Sequence, residues 1–302
     1  MRVLLSGATG LVGSALAEHL SARGHTCWGL SRRARDPAPP FARWFAWDAR
    51  GPLTPGALEG VDAVVHLAGE NVASGRWTAS RKQRIRDSRV LSTRALVGAI
   101  AQAEARPRIL LAASATGFYG DRGEELLREG SAPGGDFLAE VCVAWEAESA
   151  RAAKLGLRVV QHRFGVVLAR QGGALPKMCV PFRLGVGGKL GSGSQYFPWI
   201  HLDDAVGLLT FALQNDAVAG PLNTVAPHPV SNCEFTGSLA RLLHRPAVVR
   251  APAFALRLAL GEMSSAVLGG QRVSADAAVA LGYAFAFPTL GPALRDLLAT
   301  DT

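Results

Sequence analysis

The sequence is short of cysteine, lysine, tyrosine and long apolar runs, and each shortage excludes something. Its four cysteines, Cys27, Cys142, Cys179 and Cys233, lie far apart and form no Cys-x-x-Cys pair. Neither a zinc site nor a disulfide framework is expected, and a reducing cytoplasm fits best. No uninterrupted apolar run approaches the ~18 residues of a spanning helix. The most apolar late stretch, 253–268, is broken by Arg257 and Glu262. Met1-Arg2 leads straight into an apolar strand pattern, so no cleavable leader is expected. Lysine occurs only at 82, 154, 177 and 189, so the net charge of +8 is carried almost wholly by arginine. Those arginines are scattered. The densest cluster, 81–86, falls on a predicted helix, precedes Asp87 and has no interleaved aromatics. It matches no nucleic-acid module, so neither a nucleic-acid partner nor a membrane is expected. A small anionic ligand accounts for part of the basic excess.

What is present is a glycine turn close to residue 1. Val3-Leu4-Leu5 reads as a first β-strand. Ser6-Gly7-Ala8-Thr9-Gly10-Leu11-Val12-Gly13 follows, and a helical pattern from Leu11 to Arg23 places Leu16, Ala17 and Leu20 on one face. Such spacing lets the chain turn sharply, bring bare backbone to a pyrophosphate and pack a helix tightly on a sheet. The helix start offers free N–H groups and a positive dipole end to phosphates. Gly7, Thr9, Gly10, Leu11, Val12 and Gly13 are the candidate phosphate cradle. A tight strand-to-helix turn without a ligand is the alternative.

The rest alternates strands and helices. Strand two is 26–30, strand three 43–47, strand four 61–67, strand five 109–113 and strand six 158–163, with helices at 79–105 and 136–154. This predicts an α/β, Rossmann-type, doubly wound parallel sheet. Where an NAD site would place an acid for the ribose 2′-hydroxyl, this chain has Ser31-Arg32-Arg33. A hydroxyl and two guanidiniums suit a 2′-phosphate, hence NADP; a solvated basic turn is the alternative. Asp48 ends strand three, as an adenine contact or as a turn residue. Leu67, Ala68, Gly69 and Glu70 end strand four with small residues that let backbone approach a cofactor. Beyond residue 165 the pattern changes to glycine-rich segments and short helices. Three regions are expected: a dinucleotide-binding domain over 1–165, a substrate-side lobe over 166–249 that contributes the last sheet strand, and an extension over 250–302 packed on the lobe. His201 and Asp203 are expected to fix the lobe on the sheet, with Asp203 suited to a helix N-cap.

These runs resemble the extended short-chain dehydrogenase/reductases, the NAD(P)-dependent epimerases and dehydratases. The resemblance is carried by the glycine turn, His66-Leu67-Ala68-Gly69, Ser114-Ala115-Thr116 with Tyr119-Gly120, Arg163-Phe164-Gly165, and Trp199-Ile200-His201-Leu202-Asp203-Asp204. Further runs, among them Gly269-Gly270-Gln271-Arg272-Val273, are similar to an atypical subfamily with a C-terminal extension of unassigned function. The resemblance implies a cofactor contact from Arg163 and allows a homodimer; Arg89 is a candidate either to contact the cofactor in place of the Lys or to neutralise an anionic substrate. It also implies a Tyr with a Lys four residues on, the Lys lowering the phenol pKa and the Tyr moving a proton. Here the residues four positions after Tyr119, Tyr196 and Tyr283 are Gly123, Ile200 and Phe287. Leu138 and Cys142 fall at the Tyr and Lys positions, and Arg89 replaces the usual Asn. Only Ser114 of the four is kept. The candidate catalytic residues are therefore Ser114, Tyr119 and Cys142, with burial the simpler reading for the thiol. Lys82 and Trp77 are candidates to line the same cleft, with an exposed helix-face Lys the simpler reading for Lys82. Two readings follow: an epimerase-like NADP(H) oxidoreductase of unknown, anionic-tolerant substrate, or an NADP(H) sensor without turnover.

Overall fold

The computed structural model describes residues 1–299 of the chain. Seven strands form one sheet: β1 (Arg2–Ser6), β2 (Thr26–Ser31), β3 (Phe41–Ala46), β4 (Ala63–His66), β5 (Ile109–Ala115), β6 (Arg158–Phe164) and β7 (Gly220–Thr224). Their spatial order is β7-β6-β5-β4-β1-β2-β3, and every pair is parallel. β1 and β4 are wholly or almost wholly buried, as central strands covered on both faces must be. The order reverses between β1 and β4, and the carboxyl ends of these two strands open the crevice where such sheets bind ligands.

The helices are α1 (Leu11–Ser21), α2 (Ala79–Gln102), α3 (Phe137–Ala150), α4 (Leu175–Arg183), α5 (Leu202–Gln214), α6 (Asn232–Leu242), α7 (Ala253–Leu260), α8 (Ser265–Leu268), α9 (Asp276–Ala280) and α10 (Leu290–Leu298). α1 and α5 cover one face of the sheet. Leu16, Ala17 and Leu20 pack there with Val206, Leu209 and Leu213 over Val3, Leu5 and Val65. The other face buries Leu4, Val64 and Leu110 under Leu96 and Ile100 of α2. α3 lies beside α2, and the Trp145 indole N–H donates to Thr93 Oγ1 at 2.9 Å. α3 begins where the Asp136 side chain accepts from Ala139 N at 2.9 Å, a side-chain cap for a free helix N–H.

The lobe and the extension share one core. Leu175, Cys179 and Phe182 of α4 pack with Phe235 and Leu239 of α6 and with Leu290, Leu294 and Leu297 of α10. The extension also reaches the sheet. Ala278 of α9 is fully buried in the α1–α5 layer, and Arg272–Val273 pair in parallel with Leu126–Leu127. Asp204, 1% exposed, accepts from the backbone N–H groups of Ala286 and Phe287, both at 2.8 Å.

The structure corrects one cap. His201, not Asp203, is the N-cap of α5, and its Nδ1 accepts from Asp203 N at 3.1 Å. The chain leaves the Trp199–His201 strand still extended at His201, so the helix starts before Asp203, which lies in its first turn. Among the described residues, no helix is long and apolar enough to cross a membrane.

Candidate functional site

The glycine turn is built so tightly that only glycine fits at two of its positions. Gly7 sits at φ +68°, and a Cβ there would lie 2.6 Å from the Leu67 carbonyl carbon and 2.9 Å from Ala68 N. A Cβ at Gly13 would lie 2.3 Å from the Gly7 carbonyl oxygen. The end of β4 is thus pressed against the turn, and α1 against the turn from behind. Gly10 caps α1 with its backbone alone, which leaves the first helix N–H groups of Leu11 and Val12 without side-chain partners. In front of this turn runs a cleft of about 1340 Å³, lined by Ser6, Gly7, Thr9 and Gly10, by Leu67, Ala68, Gly69 and Glu70, and by Ser31, Arg32, Arg33 and Asp48. Leu11, Val12 and Gly13 are not in its lining.

At the β2 end, Ser31 Oγ accepts from Arg33 N at 3.3 Å and from Arg35 Nε at 3.4 Å. Arg32, Arg33 and Arg35 are exposed, and among the described residues none has a carboxylate partner. Asp48 holds its own turn: Oδ1 accepts from Gly51 N at 2.8 Å and Arg50 N at 2.9 Å. Those backbone bonds, Gly51 first, hold its carboxyl below the usual range. Asp48 is therefore both turn residue and cleft wall.

At the other end, Glu70 is clamped by Arg81 at 3.3 Å and Arg84 at 3.5 Å. Arg89 lies so close to Gly69 that a Cβ on Gly69 would be 3.2 Å from the guanidinium carbon. Its Nη1 donates to the Ile85 carbonyl at 3.1 Å, and the guanidinium sits 5.2 Å from the Trp145 ring centroid. Burial pushes its pKa down, and the nearby Cys142 and Glu70 oppose that shift. Cys142 itself is buried. Burial first, then the Glu146 charge, pushes its thiol up to about 12. A Cβ on Gly117 would lie 3.3 Å from Leu138 Cβ and 4.0 Å from Cys142 Sγ. The first turns of α3 thus present an alkyl group and a protonated thiol to the end of β5.

The Ser114 hydroxyl donates to Glu146 Oε1 at 2.6 Å. Arg163 grips the same carboxylate with two nitrogens, Nε to Oε1 at 2.9 Å and Nη2 to Oε2 at 2.8 Å. Arg163 Nη1 also donates to Tyr119 Oη at 3.0 Å and to the Glu129 carbonyl at 2.9 Å, and the Tyr119 hydroxyl donates to Asn223 Oδ1 at 2.6 Å. Tyr119 is fully buried and its pKa is raised by that burial. Neither Tyr119 nor Arg163 lines the cleft. Both sit in this internal chain because their polar ends are saturated there. Ser114, Cys142 and Arg89 are not in the lining either. Arg89 lies behind Gly69 and Cys142 against Gly117, and Ser114 joins the Tyr119–Arg163 chain through Glu146.

Sequence reasoning passed over Glu146, since its partners lie 32 and 17 positions away. It also missed Arg35, Arg50 and Arg84 in the cleft wall, although Arg35 merely continues the basic run after β2. Lys82 serves the extension, while Trp77 packs on the start of α3. Lys82 Nζ donates to both Glu262 oxygens at 2.7 and 3.0 Å, Arg76 Nη2 donates to the Leu258 carbonyl at 2.7 Å, and Trp77 packs edge-on against Phe137.

A glycine-only turn at the point where strand order reverses, opening on a long basic cleft, defines a dinucleotide-binding protein of the Rossmann type. Residues 3–224 match the NAD dependent epimerase/dehydratase family, and residues 251–297 match a domain of unknown function, DUF1731. The chain belongs to that epimerase/dehydratase family and carries its nicotinamide dinucleotide-binding fold. An epimerase family protein of Mycobacterium bovis, Mb2239, is 41% identical over 294 residues, 97% of this chain and 96% of that protein. The crystal structure of the human epimerase family protein SDR39U1 (isoform 2) with NADPH superposes with a TM-score of 0.88 at 37% identity, covering 98% of this chain and 99% of that one. A nucleoside-diphosphate sugar epimerase from Corynebacterium glutamicum gives 0.81 at 37% identity, covering 99% of this chain and 58% of that one.

Proposed function

We propose that this protein binds NADP(H) in preference to NAD(H) and works as an epimerase-like oxidoreductase without a Tyr–Lys pair. The observation that carries the cofactor choice is the β2 end of the cleft, where Ser31, Arg32, Arg33 and Arg35 stand together with no carboxylate partner among the described residues. Guanidiniums there suit a 2′-phosphate, which the acid of an NAD site would repel. The NADPH in the human relative supports the same choice. Backbone N–H groups at Thr9, Leu11 and Val12 would hold the pyrophosphate, with Gly7 and Gly13 making room for it and the Gly10 N–H closing the turn on the Gly7 carbonyl at 2.9 Å. Backbone at 67–70 would pass beside the nicotinamide half, and Arg89 stands where it would meet the adjoining ribose. When bound, the dinucleotide supplies a transferable hydride. Within this chain, Ser114 would donate its hydroxyl hydrogen bond to a substrate carbonyl by exchanging it from Glu146, which keeps the freed position charged and fixed by Arg163.

Calorimetry with NADPH and NADH tests the cofactor choice. NADPH should bind at least about tenfold more tightly, a difference of about 1.4 kcal/mol, and Arg32→Ala should remove most of that margin. Equal affinities for both dinucleotides would overturn the choice.

A second reading, an NADP(H)-binding protein without turnover, is favoured by one observation. The α3 positions beside Gly117 hold Leu138 and a Cys142 whose thiol burial keeps protonated, so neither position supplies an acid with a pKa near neutrality. A panel of carbonyl substrates with NADPH separates the two. Consumption of NADPH that Ser114→Ala abolishes supports the oxidoreductase; tight NADPH binding with no consumption across the panel supports the binding protein.

A further inference from the structure

Arg272 carries a guanidinium with no hydrogen bond or ion pair among the described residues. Its Nε is buried without a hydrogen-bond partner. Among the described residues it has no ion pair, and its contact is the Tyr196 ring, whose centroid lies 5.4 Å from the guanidinium carbon. The Tyr196 hydroxyl likewise has no partner among the described residues. The Nε atoms of Arg2 and Arg81 are also buried without a partner, but their Nη groups are engaged, Arg2 by the Glu59 and Gly60 carbonyls and Arg81 by the Asn71 carbonyl and Glu70. Arg163 is held by Glu146 and Arg158 by the Ala212 and Val218 carbonyls. A partly desolvated cation left unpaired is costly, so its retention points to a partner from outside the chain.

The frame around it is built. Gly270 N donates to Asp121 Oδ1 at 3.0 Å, Arg122 N donates to the Gly270 carbonyl at 3.2 Å, and Gln271 N donates to the Tyr196 carbonyl at 3.3 Å. A Cβ at Gly270 would lie 3.0 Å from Tyr196 N, so the backbone is pinned between Tyr196 and the 121–122 loop. Val273 turns into the apolar cluster with Tyr119, Leu127 and Cys142. Its strand neighbour Arg272 must therefore face the other way, toward Tyr196. The carboxylates nearby have other engagements: Asp121 with Gly270 N, Glu125 with Arg122 at 2.7 Å, and Asp276 with Arg128 at 3.5 Å. The 121–127 loop follows directly on Gly117, which packs against Leu138 and Cys142. Arg272 is not part of the dinucleotide cleft lining, so the cofactor's own phosphates do not account for it.

We propose that Arg272 and Tyr196 bind an oxyanion, a carboxylate or a phosphate, carried by the molecule that this protein handles beside its dinucleotide. The proposal rests on the dinucleotide reading above, because it assigns the anion to the second ligand. The planar guanidinium fork would take two oxygens of the anion, and the phenol would donate to one of them.

The test titrates inorganic phosphate, and separately malonate, into full-length protein saturated with NADPH, followed by calorimetry. Saturable binding of one of them is expected, and which one binds distinguishes a phosphate from a carboxylate substrate. Arg272→Gln should weaken it about tenfold or more, Arg272→Lys less, and Tyr196→Phe a few-fold, all with NADPH affinity unchanged. Equal anion affinity in Arg272→Gln and the parent protein, or no saturable binding of either anion, overturns the proposal. If Arg272→Gln fails to fold, the Lys and Phe variants still decide. NADPH affinity is read in the same samples, and anion titrations are repeated without NADPH. A failure of the dinucleotide reading therefore shows as lost NADPH binding, separately from any loss of anion binding.

Discussion

Ser114 and Glu146 share a 2.6 Å hydrogen bond between the end of β5 and the middle of α3. The carboxylate that receives it is the one Arg163 holds with two nitrogens, and the two ionic side chains are 11% and 4% exposed. A residue expected to address a substrate is thereby wired into the interior of the protein.

Glu146→Ala should be strongly destabilising. It leaves Arg163 buried without its counter-ion, a loss of about 3–5 kcal/mol. Urea unfolding measures it. The double variant Glu146→Leu with Arg163→Met should recover much of that loss, and a double variant as unstable as the sum of its parts would show that the pair does not act as a unit.

Gly7→Ala should lose dinucleotide binding and stability together. The new Cβ would meet the Leu67 carbonyl at 2.6 Å in a backbone conformation at φ +68°, where an L-residue alone is disfavoured by about 1–2 kcal/mol. Calorimetry with NADPH should show no heat of binding at concentrations that saturate the parent, and the unfolding midpoint should fall.

Acid should weaken the fold before carboxylates titrate. His66 and His162 are fully buried, and burial lowers their pKa from 6.5 to about 4 and about 3. The unfolded chain therefore takes up these protons more readily than the folded one. Stability is intact above pH 6.5 and drains away as pH falls below it toward the folded values. Urea midpoints at pH 7.5, 6 and 5 should fall in that order, and His162→Leu should flatten the slope. An unchanged slope in that variant would remove His162 from the account.

Two tethers of the extension should behave differently. The Lys82–Glu262 pair is 32% and 49% exposed, so Lys82→Ala should change stability by less than about 1 kcal/mol. Asp204 is buried and accepts two backbone N–H groups of the extension. Asp204→Ala leaves both unpaired and should cost several kcal/mol, at about 1–3 kcal/mol per orphaned group. Thermal unfolding of the two variants side by side checks the contrast.

The parts of this protein visible in its sequence are those set by near neighbours. The apolar runs of β1 and β4, the glycines between β1 and α1, and the helix starting at Ala79 each follow from residues within a few positions. The absence of a Tyr–Lys pair was readable by counting four residues on. The Ser114–Glu146–Arg163 chain was not, because its members come from β5, α3 and β6 and meet only when the sheet closes. The two-residue pairing of Leu126–Leu127 with Arg272–Val273 is shorter than any periodicity can register, and it is what sets Arg272 against Tyr196. The N-cap of α5 was misplaced by two residues because an Asp two positions into the turn looks locally as good as a His whose ring nitrogen accepts the same N–H.

The closing contacts of the sheet have a consequence for how the chain is made. Asn223 at β7 gives its side-chain amide to the Ser274 carbonyl, and Ala278, Tyr283 and Phe285 fill the layer between β1 and α5. The hydrophobic layer of the nucleotide-binding half therefore stays unfinished until Ala278, Tyr283 and Phe285 of the extension have emerged from the ribosome. Completion of the N-terminal half waits on the C-terminal segment, and a nascent chain stalled or truncated before Ala278 would present an open α1–α5 face to chaperones.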